Sequence, residues 1–518
     1  MATAFSDTTA GKVFNFIIGR EKKKHSHGDP TREVFETVVF VVVLVLMLKL
    51  FVAEAFVIPT GSMATTLLGD NVKVTCPECG HTFPVTAAVQ EGVRAEPTAA
   101  TCQNCGNQFR PSNAREWNSG DRVLVAKYEY HIRPPQRFDV PVFKYPKEPY
   151  NRIEKTAMNY IKRLCGLPGE TLAIYKGDLY VTDRLTYPGR PRPPRELDLW
   201  ELDYTYSRDP EAVALFHNGG FQPVRKTPKQ ILTVRRLVFD LDQPPKSLTG
   251  LAKVRWHPSP DDGAGWSMEE KGFKHAGTQM GWMRYHHVEP GWESGSPVRQ
   301  PALITDHLGY NYRSSSSPQW VPDLIVDCIA EFSAATDTVV LELSKAGDKF
   351  RAVFDNGICR LIHIPSTAAD KPIVLADQPT KITSPGKYAL RFANVDSRLT
   401  VWVDDRTLDF GAAADYSPPN RDEFRDTTTD LHEPARIGAT GNVSISKVQL
   451  WRDVYYTCNE AGECQVQTYY VQPGHFFCLG DNSASSADGR SWGLVPERLM
   501  LGRAVVVYWP LSRIGVIK

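Results

Sequence analysis

The stretch from Val34 to Ala53 reads TVVFVVVLVLML from Thr37 onward, then Lys49, then LFVA, and it constrains the architecture more than any other feature. About 20 such residues at 1.5 Å each suffice to cross the hydrocarbon layer of a bilayer. Lys49 stands near one end, where its stem can carry the ammonium to the interface. Lys12, Arg20, Lys22, Lys23, Lys24 and Arg32 precede the run, and a basic cluster of that kind stays cytoplasmic. The pattern predicts a cytoplasmic segment over 1–33, a single-pass transmembrane anchor over 34–56, and a large part beyond it on the outer side of the membrane. A cleaved leader is the competing reading, because Ala53-Glu54-Ala55 loosely resembles a processing site, but a leader's apolar core is normally shorter.

A chain of 518 residues is too long for one core and should hold two to four domains. Its net charge of +1 supplies no field that would argue for nucleic acid. Short alternating runs with turn signals outnumber long amphipathic patterns, which predicts a mainly β protein.

The ten cysteines fall into groups. CPECGHTF and CQNCGNQF present Cys76, Cys79, Cys102 and Cys105 as two C-x-x-C-G knuckles, each ending in a phenylalanine. Two such knuckles place four thiolates tetrahedrally around Zn²⁺ at about 2.3 Å each. The expectation is a zinc-ribbon-like insertion over 71–118, with structural zinc replacing a core that so short a segment cannot build. Local disulfides or a redox dithiol are the alternatives, and four cysteines leave no open position for a catalytic metal. Cys458 and Cys464 flank a polar loop and fit a disulfide in an oxidising compartment, with two free thiols as the alternative.

Three further stretches carry chemistry. FVIPTGSMATTLLGD (56–70) follows the apolar run, NYIKRLCGLPGE (159–170) comes next, and GDNSASSADGRSWGLVPERLMLGRA (480–504) lies near the end. In order and wording they resemble the nucleophile, lysine and C-terminal boxes of bacterial type I signal peptidases. RFDVPVFKYP (137–146) resembles the strand before the lysine box. The resemblance covers roughly 34–70, 118–182 and 468–518. It implies a signal-peptidase-type antiparallel β catalytic core in three parts, over 57–70, 119–184 and 457–518. It also implies a membrane-bound serine endopeptidase that removes signal peptides from secretory precursors after small-x-small (A-x-A) sites, through an acyl-enzyme and without a catalytic cofactor.

By that resemblance Ser62 is the nucleophile and Lys162 the general base. The chemistry of the residues agrees. A serine hydroxyl is a weak nucleophile until a base takes its proton, and a lysine serves only when burial lowers its pKa from about 10.4. Tyr160, Ile161 and Leu164 flank Lys162, with no acid between Thr156 and Pro168. The resemblance further assigns the oxyanion donors to the Ser62 N–H and the Thr60 hydroxyl, and a hydrogen bond to the lysine amine to Ser486. Asp481, Asp488 and Arg490 take framework roles, and Phe56, Ile58, Pro59, Met63, Leu67, Tyr160 and Ile161 line the substrate pockets. Thr65 stands where the family commonly has proline, and Ser483, Ala484 and Ser485 also depart from its pattern, which predicts retuned loops.

Residues 185–228 are rich in proline and charge and read as irregular connection. From 229 to 456 short alternating strands predict a β-sandwich insertion, resembling laminin-G or concanavalin-like domains over 388–408 and SISKVQLWRDV. Trp266, Trp282, Tyr285 and Trp292 could stack on sugars, although such residues more often fill a core. His286 and His287 read as ordinary loop or strand residues. Secretory precursors and membrane lipid are the expected partners, and a glycan or protein ligand of the sandwich stays open. A non-catalytic envelope adhesion protein on the same scaffold is the alternative. It is disfavoured because Ser62, Lys162, Thr60 and Ser486 occur together.

Overall fold

The computed structural model describes residues 30–90, 93–95, 97–111, 117–146, 158–185, 187, 209–246, 254–293, 296–311, 318–417, 424–458 and 465–517. Cys464 and the basic residues before Pro30 lie outside them. The chain forms two compact units, one ending at Glu54 and the other running from Ala55 to Lys518.

The first unit is a helix over Pro30–Met47. Its apolar side chains from Val34 to Met47 are all exposed. The helix covers only part of the expected span over 34–56. Arg32, Glu33 and Glu36 charge the first two turns, and Arg32 pairs with Glu36 at 2.8 Å. The helix then widens into a π turn at Leu48–Val52 and becomes extended at Ala53. Eighteen residues reach about 27 Å at 1.5 Å per residue, short of a typical hydrocarbon core, and part of that length is charged. No helix among the described residues is long and apolar enough to cross a membrane.

The second unit is built from antiparallel sheets, in agreement with a mainly β reading. One sheet runs in the order Ala53–Val57, Arg122–Ala126, Met500–Trp509, Pro141–Lys144, Asn159–Ile161. A second joins Arg163–Gly166 to His475–Leu479 and Val495–Pro496. A third pairs Thr171–Tyr175 with Asp178–Thr182 and Gln467–Tyr470. Strands distant in sequence therefore close one body, whose main core includes Val123, Val125, Val140, Val142 and Ala504.

The four-cysteine segment forms its own small sheet, Thr82–Thr86 on Asp70–Thr75 on Trp117–Ser119. Residues 236–452 contribute a thirteen-stranded sheet around a large core containing Phe273, Leu341, Phe354, Phe392 and Ile437, with a smaller cluster of Ile325, Ala393 and Trp402 against Ile231. Its organising strand, Ala435–Arg452, pairs with Gly272–Tyr285 along one edge and with Thr338–Lys345 and Leu324–Phe332 along the other. This arrangement is compatible with the expected sandwich. Trp266, Trp282 and Tyr285 are buried, as are His286 and His287, so these three aromatics form no exposed sugar platform; the side chain of Trp292 lies outside the described residues.

The segment read as irregular connection contains a helix, Pro210–His217. Asp209 caps it by accepting from the Ala212 N–H, and Pro210 opens its first turn. A second helix, Pro228–Val234, begins with a Thr227/Gln230 capping box.

Candidate active site

Lys162 occupies the one residue between the end of Asn159–Ile161 and the start of Arg163–Gly166, where the chain passes from one sheet to the next. Its neighbours are fixed by different hydrogen-bond ladders, so its side chain is aimed from a rigid crossover. The side chain is 2% exposed, and Nζ lies 5.3 Å from the centre of the Tyr160 ring. It donates to Ser62 Oγ at 2.7 Å and to the Ile161 carbonyl at 3.0 Å. Burial pulls the ammonium down to about 8, against the opposing attraction of Asp488 and Asp481.

Ser62 sits in a single 3-10 turn, Gly61–Met63. The turn is held from outside the local sequence. The Asn482 backbone N–H donates to the Ser62 carbonyl at 3.0 Å, and its side-chain amide donates to the Gly61 carbonyl at 2.9 Å. Asn482 is in turn locked by reciprocal amide bonds with Asn311, at 2.7 and 2.9 Å. Tyr310 packs against Gly61 so closely that a Cβ there would lie 2.3 Å from its ring. Gly480 is equally constrained, since a Cβ would meet Ser486 Oγ at 2.2 Å and the Ser62 carbonyl at 2.5 Å.

Charged framework residues surround the pair. Arg163 binds Asp481 through two bonds of 2.7 Å, with both side chains buried, and donates to the Phe138 carbonyl at 3.0 Å. Burial raises the Asp481 carboxyl, but Arg163 outweighs it and holds the group below its usual value. Asp488 accepts the Gly480 N–H at 3.0 Å and pairs with Arg490 at 2.7 and 2.8 Å. Arg490 also reaches Thr457 and the Ser483 carbonyl. The loop 480–490 is therefore tied down along its length, and the framework residues expected from sequence stand together.

Two expectations need correction. Ser486 does not hydrogen-bond the lysine amine. Its Oγ is buried without a partner, pressed toward Gly480, while Nζ is already directed to Ser62 and Ile161. Of the seven pocket positions, Ile58, Met63 and Leu67 are at most 3% exposed and pack into the core with Val123 and Val142, so they present no wall to solvent. Phe56 and Ile161 lie at the edge of that cluster, Tyr160 belongs to a neighbouring one with Tyr145, and Pro59 is exposed. Thr60 precedes the turn with an exposed side chain that caps nothing. Sequence reasoning missed Asn482, Asn311, Tyr310 and Arg163. Asn482 stood inside a quoted motif, whereas nothing local marked Asn311.

In the four-cysteine module, Gly80 and Gly106 adopt φ of +76° and +69°, and each returns its N–H to the first cysteine of its knuckle. The Sγ atoms of Cys76 and Cys105 are 3.6 Å apart, as are those of Cys79 and Cys102, and all four lie within 4.8 Å of one another. A tetrahedral Zn–S₄ centre with bonds of about 2.3 Å has edges of about 3.8 Å, so the donor set fits that metal. Cys165, Cys328, Cys359 and Cys478 are free and buried, and Cys458 is disulfide-bonded.

A hydroxyl hydrogen-bonded to a buried amine near neutrality is the arrangement of a nucleophile with its base. Comparison with known proteins points the same way. Residues 109–209 and 400–509 match the family described as signal peptidase, peptidase S26; Lys162 and the 480–490 loop fall within the match and Ser62 outside it. A signal peptidase I of Pseudomonas aeruginosa is 43% identical over 79 residues, covering 13% of this chain and 25% of that protein. One from Rickettsia bellii is 27% identical over 154 residues, 30% of this chain and 40% of the relative. The chain spans well under half the length of the curated relatives it matches. Among solved structures, a carbohydrate binding module from Bacillus subtilis overlaps 38% of this chain and 94% of its own, at 13% identity and a TM-score of 0.24, too slight a likeness to argue from.

Proposed function

We propose that the chain is a signal-peptidase-type serine endopeptidase working through a Ser62/Lys162 dyad. The observation that carries this reading is the 2.7 Å contact between a serine hydroxyl and an amine that burial holds near pH 8. In its neutral form Lys162 takes the Ser62 proton as Oγ attacks the scissile carbonyl carbon. The Ser62 N–H and the Thr60 hydroxyl are assigned to the oxyanion, Thr60 after rotation of its free side chain. Lys162 then passes the proton to the departing amine, leaving an acyl-serine that water, deprotonated by the same amine, hydrolyses. Precursors with small residues before the cut are the assigned substrates. The test is cleavage of a precursor bearing an Ala-x-Ala site. Ser62→Ala and Lys162→Ala should each abolish it, and processing equal to the parent chain by either variant would falsify the dyad.

Attachment to a membrane is supported by the row of exposed apolar side chains along the helix over Pro30–Met47. For the four cysteines we assign structural Zn²⁺. Elemental analysis of the purified chain should return one zinc per molecule, and metal-free protein with oxidised thiols at these positions would overturn the assignment.

A further inference from the structure

Between the four-cysteine module and the large sheet lies a cavity of about 160 Å³. Its apolar surface includes Leu237 and Ile304, and two buried arginines, Arg255 and Arg452, also line it. Among the described residues neither forms an ion pair with a carboxylate. Arg255 gives Nη1 to the Tyr285 hydroxyl at 3.4 Å and Nη2 to the Val288 carbonyl at 3.1 Å, and its buried Nε has no acceptor. Arg452 donates only to main-chain carbonyls, those of Asp453, Asp306 and His307, at 2.8–2.9 Å. His307, on the same wall, has a buried Nε2 without a partner. Arg452 keeps the more distant charges of Asp306 and Asp453, whereas the buried Arg255 Nε lacks even a hydrogen-bond acceptor, an unfavourable state that an acceptor group entering the cavity would relieve. Burial lowers Arg452 to about 10, against the attraction of Asp306, which reflects the cost of burying its charge.

We propose that this cavity binds a small hydroxylated carboxylic acid about the size of one six-membered ring, a hexuronate being the type. Three features select that class. The volume of about 160 Å³ limits the ligand to a single small ring with its substituents, and excludes an oligomer. The free edge of Arg255 suits a carboxylate, whose planar fork matches a guanidinium. The remaining polar lining suits hydroxyls: Thr305 and Gln108 are neutral, and Glu289 can only accept hydrogen bonds when ionised. Glu289 also disfavours an inorganic dianion, which would meet its charge without offering it a donor.

The experiment is isothermal titration calorimetry on the full chain in detergent, with D-glucuronate and D-galacturonate as probes and D-glucose and inorganic phosphate as comparators. One uronate should bind at one site per chain, with glucose weaker by roughly tenfold or more, as loss of a charge-assisted pair requires. Arg255→Gln should weaken uronate binding by a similar factor. Thr305→Val and Gln108→Ala, which alter half-buried or exposed side chains, should each weaken it several-fold and decide the matter should Arg255→Gln not fold. No saturable uronate binding at millimolar concentrations overturns the proposal. So does phosphate binding tighter than either uronate, or uronate binding that the folded variants leave unchanged.

Discussion

To serve as the proposed base, Lys162 has to be dry enough to give up a proton and yet remain within reach of Ser62. Its sequence neighbours explain only part of this, since Tyr160 and Ile161 supply apolar cover while the two acids that oppose the shift, Asp488 and Asp481, come from the far end of the chain. Activity should therefore rise with pH through an apparent pKa of about 8, read from kcat/KM on a peptide substrate. A flat profile between pH 6 and 9 would show that the amine is not the base. The same shift affects stability, and its sign is fixed. An ammonium whose pKa falls on folding disfavours the folded state; the penalty is complete below about pH 8 and fades as pH approaches the free-lysine value of about 10.4. Lys162→Met should thus abolish activity yet gain roughly 1–3 kcal/mol in urea unfolding at pH 7, less the cost of the Ser62 bond, with the gain shrinking at higher pH. Asn311 makes a separate prediction. Asn311→Ala removes the brace on Asn482 and should lower kcat roughly 10–100-fold with KM and the pH profile little changed, because the base is untouched while the nucleophile turn loosens. Unchanged kcat would remove Asn311 from the positioning shell.

At the scale of elements, the loop 480–490 and the lysine crossover are joined by the buried Arg163–Asp481 pair. Breaking such a pair leaves one charge stranded, so Asp481→Ala should cost about 3–5 kcal/mol in chemical denaturation. Arg163→Met combined with Asp481→Leu should recover much of that loss, and a double variant as unstable as the single would point to a different origin. These elements also show what the sequence could reveal. Local chemistry marked the Ser62 turn, the Lys162 strand, the paired knuckles and the strand rhythm of 324–452, because each is written in consecutive residues. The helix at Pro210–His217 was legible as well, through Asp209 ahead of Pro210, but proline and charge in the stretch before it masked the cap. The Ser486 contact and the pocket walls were carried over from resemblance, and packing decided otherwise: Met63 and Leu67 turned into the core, and Ser486 turned toward Gly480. Asn311 was illegible because its meaning depends on a partner 171 residues away.

For the whole molecule, the large sheet is locked to the rest by charges inside it. Lys345 contacts Asp323 and lies 3.7 Å from Asp178, while Lys226 binds Asp396 at 2.7 Å and Asp453 at 2.8 Å. Lys345→Met strands the buried Asp323 and the half-buried Asp178 and should lower stability by about 3–5 kcal/mol, measured by the urea midpoint. Retention of the parent midpoint would mean that the acids are held by other means. The segment Leu308–Asn311 carries the larger implication. Leu308 and Tyr310 pack with Ala64 and Leu68 beside the nucleophile, and Arg236 donates to the Ala64 carbonyl at 3.0 Å. A chain trimmed to its three resembling stretches would therefore lose one wall of the proposed site. What looks on paper like cargo threaded between the three stretches is, in space, part of the vice that grips Ser62.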